Sequence, residues 1–260
     1  ANRIVARAAV PTPKASAEAV ADAAAAGAKQ LLTAHPAETV GVGTPGIVTP
    51  DGRVSAANLP FADTPLADLI AARIGHAVAL GNDANCAALG EAAVSGADDL
   101  LLVTLGTGVG GGVVLNGRLY GGARGIAGEL GHFTLYQDGA PCSCGKRGCL
   151  EHYASTTALV RRAQEATGET QLNGRVIFGR AQQGDGKMLG VLNAWIDDIA
   201  AGVTGLVHIF NPEMVLIGGG VSAQEELLMK PLRQRVINGV MPRFAEGLTV
   251  ERATLGNDAG

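Results

Sequence analysis

Hydrophobic and polar positions change period several times along the chain, and each change marks an element. RIVARAAV, residues 3–10, alternates like a half-buried strand. SAEAVADAAAAGAKQLLTAH, residues 16–35, reads as a helix with Ser16 as its N-cap. From Thr39 to Val54 a strand broken by Gly and Pro runs to a turn at Asp51-Gly52 and then returns. TPLADLIAARIG predicts a second helix, with Pro65 in its first turn and its end at Gly75. AVALGNDANCAALGEAAVSG, residues 77–96, predicts a strand, a turn and a helix, a junction of the kind where chemistry often sits.

The pattern restarts after Gly96. DLLLVTLGTGVGGGVVLNGRLYGG, residues 99–122, reads as a strand, a glycine-rich turn and a second strand, with Asn116-Gly117 closing a further hairpin. Residues 187–212 form a long, largely apolar helix stopped by Asn211-Pro212. MVLIGGGVS predicts a buried strand with a glycine-rich end, and EGLTVERATLGNDAG supplies a last strand. No low-complexity linker, charge run or short repeat interrupts the chain. Alternating strands and helices argue an α/β chain of two lobes divided near Gly96, a smaller one over residues 1–97 and a larger one over 98–260.

Composition narrows the function. Hydrophobic residues make up 47% and aromatics 3%, with 38 glycines, so the core is built from Ala, Val, Leu and Ile between tight turns. A net charge of −4 offers no basic surface, which argues against a nucleic-acid partner. No run approaches the roughly 18 apolar residues of a bilayer span. The opening ANRIVARAAVPTPK lacks the charged-then-apolar layout of a signal peptide, so a cytoplasmic protein without a membrane partner is expected.

Cys142, Cys144 and Cys149 lie close together, and in a reducing compartment such clustering points to metal rather than to disulfides. With His132 they give the spacing H-x9-C-x-C-x4-C, three thiolates and one imidazole, a complete tetrahedral set for zinc. Four protein ligands leave no open position, so the ion is expected to be structural, with Gly145 and Gly148 letting the backbone wrap around it. Reduced cysteines beside a core histidine are the plain alternative. Cys142 and Cys144 are not spaced as a C-x-x-C redox pair.

Glu129 and Glu151 bracket this knot, and carboxylates fixed there suit hydrogen bonding to vicinal sugar hydroxyls, although each alone reads more often as a solvated surface charge. In GNDANCAALGE, Asp83 follows a strand and precedes a helix, flanked by Asn82 and Asn85. A carboxylate so placed can take the hydroxyl proton in phosphoryl transfer to an alcohol, or can simply be a helix N-cap. In LGTGVGGG, the turn of Thr107, Gly108 and Gly110 can bring backbone N–H groups and a hydroxyl to phosphate oxygens. No Lys follows it as in a Walker loop. IGGGVS lets a flat group such as a base or ribose approach the backbone, but a plain hairpin explains either glycine turn.

The ordered set GTPG, NLP, GNDANCAALGE, LGTGVGGG, GELGH, CSCGKRGCLE and IGGGVS closely resembles the ROK family of repressors, open reading frames and kinases, from about Arg3 to Gly260. The resemblance implies the actin-like, hexokinase-like ATPase fold (ribonuclease H-like), two α/β lobes around a cleft. It implies phosphorylation of a hexose with Mg·ATP, with Asp83 as general base toward the 6-hydroxyl. Sugar contacts would come from Gly43, Asn58, Asn82, Glu129, His132 and Glu151, with His132 also a zinc ligand. Thr107 and Gly108 would form a phosphate loop, and Gly218, Gly219 and Gly220 the adenosine loop. A homodimer is the expected assembly. A sugar-sensing repressor of the same family, carrying an added helix-turn-helix, is the non-enzymatic alternative.

Three departures stand out. Family kinases begin with a strand ending in D-x-G-G-T, which gathers the ATP phosphates and helps place Mg2+, and nothing before Ala1 supplies it. The chain stops at LGNDAG where the family continues into a C-terminal helix, so a trimmed chain is expected. NLPFADTPL lacks the tryptophan often found after NLP, which loosens the sugar preference.

Overall fold

The structure is a computed structural model and describes residues 4–56 and 58–256. The chain divides into two compact units, one holding residues up to Cys86 together with Gly121–Ala127, the other holding Ala87–Tyr120 and residues from Gly128 on.

In the first unit, helix α1 (Ala17–Ala34) begins where Ser16 accepts a hydrogen bond from the Ala19 amide at 3.1 Å, the expected cap. Strands β1 (Val40–Thr44), β2 (Ile47–Val48), β3 (Val54–Ala56) and β4 (Phe61–Thr64) follow, then α2 (Leu66–Ile74) and β5 (Val78–Asn82). Gly75 ends α2 in the left-handed region at φ 73°. β1 and β5 pair in parallel, and β2, β3 and β4 form an antiparallel sheet. Ala21 and Ala25 of α1 share a core with Leu66, Ile70 and Ile74 of α2 and with Val54 and Phe61. Arg73 of α2 ties the helices together at the surface, reaching Asp22 at 2.5 Å and also Glu18. The strand expected over residues 3–10 is absent: residues 4–16 have no regular structure, and Arg3 lies outside the described residues. Alternation alone did not supply a pairing partner.

Helix α3 (Asp83–Ser95) follows β5 with no intervening turn residue, and its later residues belong to the second unit. Strands β6 (Leu100–Leu105), β7 (Val109–Leu115) and β8 (Arg118–Leu119) come next. Both Asn116 and Gly117 take positive φ, 52° and 70°, as a tight hairpin turn between twisted strands requires. Helices α4 (Leu150–Ala154), α5 (Thr156–Thr167), α6 (Gly174–Gln182) and α7 (Gly186–Phe210) precede β9 (Met214–Gly218), α8 (Lys230–Gly239), α9 (Pro242–Ala245) and β10 (Thr249–Arg252). The sheet order is β10-β9-β6-β7-β8, parallel from β10 to β6 and antiparallel beyond.

β6 is buried on both faces, which explains its unbroken apolar run. Leu100 and Leu102 pack with Ala88 and Ala92 of α3. Leu101, Val103 and Leu105 face the larger core, where α7 contributes Trp195, Ile199 and Val203. The Trp195 indole N–H donates to the carbonyls of Ala154 and Ser155, each at 3.1 Å, so α7 grips the junction of α4 and α5.

Candidate active site

In the first unit, the parallel register sets Gly43 opposite Gly81 and Thr44 opposite Asn82. The Asn82 side chain then does two jobs. Its Nδ2 donates to Gly46 O at 3.0 Å, and its Oδ1 accepts from the Asn85 amide at 3.1 Å, three residues into α3. Asn82 is therefore the cap of α3. Asp83, the first residue of the helix, is exposed, and its Oδ1 accepts from the Ala84 amide at 2.8 Å. A Cβ added at Gly43 would stand 3.6 Å from Asp83 Cα, so the two are neighbours. Asn85 is buried, with its Oδ1 lacking a partner among the described residues. Burial, and after it the charge of Asp83, pushes the Cys86 thiol above its usual range. Asn58 is exposed in the turn ahead of β4.

In the second unit, His132, Cys142, Cys144 and Cys149 converge so that their ligand atoms all lie within 4.8 Å of one another. His132 Nδ1 is 3.6 Å from Cys142 Sγ, and Cys144 Sγ is 3.6 Å from Cys149 Sγ. A tetrahedral ion with metal–sulfur bonds of about 2.3 Å and metal–nitrogen bonds of about 2.0 Å places such atoms about 3.5–3.8 Å apart, so the donor set fits. The backbone shapes the site by folding back twice. Cys142 N donates to Lys146 O at 2.8 Å, Gly148 N donates to Ala140 O at 2.9 Å, and Thr134 bridges to Cys149. Gly148 has φ 75°, and a Cβ there would run into the Tyr136 carbonyl, so the loop closes only around a glycine. Burial pushes the Cys149 thiol up to about 12, whereas the backbone N–H of Lys146 draws the exposed Cys144 down. The buried Cys149 becomes a thiolate at neutral pH only with a cation beside it.

The loop is anchored from below. Tyr136 donates its hydroxyl hydrogen to Asp198 on α7, which also receives Arg162 of α5. Ala140 N donates to the Tyr153 hydroxyl at 2.8 Å, and the two tyrosine rings meet edge to face with centroids 4.7 Å apart.

Glu129 is exposed and precedes the single helical turn that carries His132. Glu151 lies in the first turn of α4, where its Oε2 accepts from Val109 N at 3.1 Å and its Oε1 from Ser143 Oγ at 3.5 Å. Glu151 thus joins the metal loop to the glycine-rich turn that holds Thr107 and Gly108. That turn lies beside the second glycine loop, because β6 and β9 run in parallel with Thr104 opposite Gly218. Gly219 has φ 91°, and a Cβ on it would collide with the Leu105 carbonyl. A cavity of about 610 Å³ opens there, lined by Gly106, Thr156, Arg175, Phe178, Gln182 and Gly220 among others. The structure thus groups Gly43, Asn82 and Asp83 in one unit, and the Cys/His cluster, Glu151, Thr107, Gly108 and Gly218–Gly220 in the other. Nothing in the sequence singles out Thr156, Thr157 or the α6 residues. Their signal was only a helix start, and the groups they meet lie far away in the chain.

No helix among the described residues is long and apolar enough to cross a membrane. The sequence matches the ROK family over residues 1–260. It is 40% identical over 240 residues to a glucokinase of Halalkalibacterium halodurans, covering 85% of this chain and 73% of that protein. The structure is similar to a ROK family glucokinase from Streptomyces griseus in complex with glucose and AMPPNP, at TM-score 0.81 and 34% identity, covering 96% of this chain and 87% of that one. A ROK hexokinase from Thermus thermophilus gives TM-score 0.83 at 36% identity, covering 96% and 85%. The fold is the actin-like, hexokinase-like ATPase fold expected from the sequence. Matched along its length in both sequence and structure, the chain belongs to the ROK family.

Proposed function

We infer that the chain is an ATP-dependent sugar kinase, and we propose that it transfers the γ-phosphoryl group of ATP to the 6-hydroxyl of a hexose with Asp83 as general base. The observation that carries the reading is the division of labour at the start of α3. Asn82 takes the capping role, which leaves the Asp83 carboxylate exposed at a strand end. In the reaction the sugar oxygen attacks the γ-phosphorus, the bond from that phosphorus to the ADP oxygen breaks, and the hydroxyl proton passes to Asp83.

In this reading Glu129 and Glu151 accept hydrogen bonds from sugar hydroxyls. Gly43, Asn58 and Asn82 are further sugar contacts. His132 serves through Nε2, since its Nδ1 faces the thiol cluster. Thr107 and Gly108 receive phosphate oxygens, Gly218, Gly219 and Gly220 receive the adenosine, and the neighbouring cavity of about 610 Å³ has room for a nucleoside. Mg2+ arrives on the ATP phosphates as part of the substrate. Three thiolates and an imidazole in tetrahedral proximity suit zinc, whose contribution is structural: it keeps residues 132–149 folded, and with them Glu151.

The test is an ADP-release assay on the full-length chain with ATP and a panel of hexoses. ADP released only when a hexose is present is the expected result. No ADP with any hexose overturns the reading.

A further inference from the structure

We propose that Thr156 and Thr157, at the start of α5, are positioning residues that aim the backbone amides of Thr107 and Gly108 at the nucleotide phosphates; this rests on the kinase reading above. The backbone polar groups in the turn between β6 and β7 fall into two sets, engaged and free. Gly106 N donates to Gly108 O at 3.0 Å. Gly106 O accepts from Thr156 N at 2.8 Å and also from the Thr156 hydroxyl. Thr107 O accepts from the Thr157 hydroxyl at 2.8 Å. Val109 N donates to Glu151 Oε2 at 3.1 Å. Every carbonyl from Gly106 to Gly108 is therefore engaged. Two consecutive amides, Thr107 N–H and Gly108 N–H, have no partner among the described residues.

Planarity of the peptide bond turns these bonds into an aiming device. In a trans peptide the C=O of one residue and the N–H of the next point in opposite directions. Fixing Gly106 O on Thr156 therefore directs Thr107 N–H away from α5, and fixing Thr107 O on Thr157 does the same for Gly108 N–H. Two adjacent free amides held in a short turn make a concavity for an anion. The positive end of α5 supplies the donors, so the carbonyls are held by partial charge as well as by hydroxyls. Thr156 and Gly106 both line the cavity of about 610 Å³, which puts that half of the clamp at its wall. Thr157 is exposed, so its hydroxyl bond to a loop carbonyl is not a by-product of core packing.

The experiment compares the full-length protein with Thr157→Val and Thr157→Ser. Val has the same shape without a donor, and Ser restores the hydroxyl. Calorimetric titration with a non-hydrolysable ATP analogue should show affinity weakened about three- to tenfold in Thr157→Val and recovered in Thr157→Ser, the scale of one hydrogen bond. In turnover, KM for ATP should rise by the same factor while KM for the sugar and the metal content stay at wild-type values. Unchanged analogue affinity in a folded Thr157→Val variant overturns the proposal. So do an equal loss for both substrates, a Ser variant as weak as Val, and a wild-type protein that does not bind the analogue. Analogue binding with the expected pattern but no phosphorylation of any sugar leaves the clamp standing and strikes the kinase reading alone.

Discussion

Tyr136, in the loop that carries the Cys/His cluster, donates its hydroxyl hydrogen to Asp198, a carboxylate on α7 that is 6% exposed. The bond, followed by burial, pushes the tyrosine up to about 12. Arg162 completes the arrangement by bridging to the other oxygen of Asp198. Asp198→Ala leaves a guanidinium and a phenol without their shared acceptor, and it should lower stability by about 3 kcal/mol in denaturant titration. Amide hydrogen exchange should speed up across residues 133–149 more than in the five-stranded sheet.

Asp83→Ala should reduce kcat by about 10²–10⁴-fold, the usual contribution of a general base. Asn82 caps α3, so the fold and sugar affinity should persist. Calorimetry with the sugar alone separates the two effects, and wild-type turnover in the variant would remove Asp83 from the mechanism.

Cys144→Ser should cost the protein its metal, measured by elemental analysis, and weaken sugar affinity through a loosened Glu151. The exposed Cys144 is the ligand whose replacement disturbs packing least. A variant that stays fully metal-loaded with unchanged sugar affinity would show that the loop holds itself together without the thiol.

Gly219→Ala places a side chain at φ 91° and against the Leu105 carbonyl. A strain of about 1–3 kcal/mol is expected. The loop must shift to relieve it, so nucleotide affinity should fall while sugar affinity holds.

Asp185 caps α7 by accepting from the Lys187 and Met188 amides, and it pairs with Arg180. That pairing first, and then the Met188 amide, hold its carboxyl below the ordinary range. A depressed folded value means that the stabilisation is present above the unfolded carboxyl pKa of about 3.9 and is lost as pH falls through the lower folded value. Thermal midpoints of wild type and Asp185→Ala should differ at neutral pH and converge in acid.

Much of this was legible in the chain because local chemistry decides it. Ser16 starts α1 and Gly75 ends α2. Asn116-Gly117 turns the hairpin, and the long helix stops at Asn211, in the left-handed region at φ 46°. The convergence of His132, Cys142, Cys144 and Cys149 was readable from spacing, since they come from one short stretch. What the sequence hid depends on distant partners. Nothing near Thr157 announces a carbonyl at Thr107, and nothing near Tyr136 announces Asp198. The choice of Asn82 rather than Asp83 as the cap of α3 was hidden for another reason. Both side chains suit a cap, and only the directness of the β5–α3 junction decides between them.

All four candidate metal ligands come from residues 132–149, outside the strands of the five-stranded sheet. The sheet and α7 share their core with Leu130 and Leu150 at the two ends of that stretch and with Phe133 and Leu135 inside it, whereas residues 136–149 add only Cys149 among the fully buried side chains. On the zinc reading, a molecule stripped by a chelator would be a repairable one: most of the core lies outside the loop, so resupplying the ion should restore it without passage through the unfolded chain, and scarcity of the metal would idle the protein rather than destroy it.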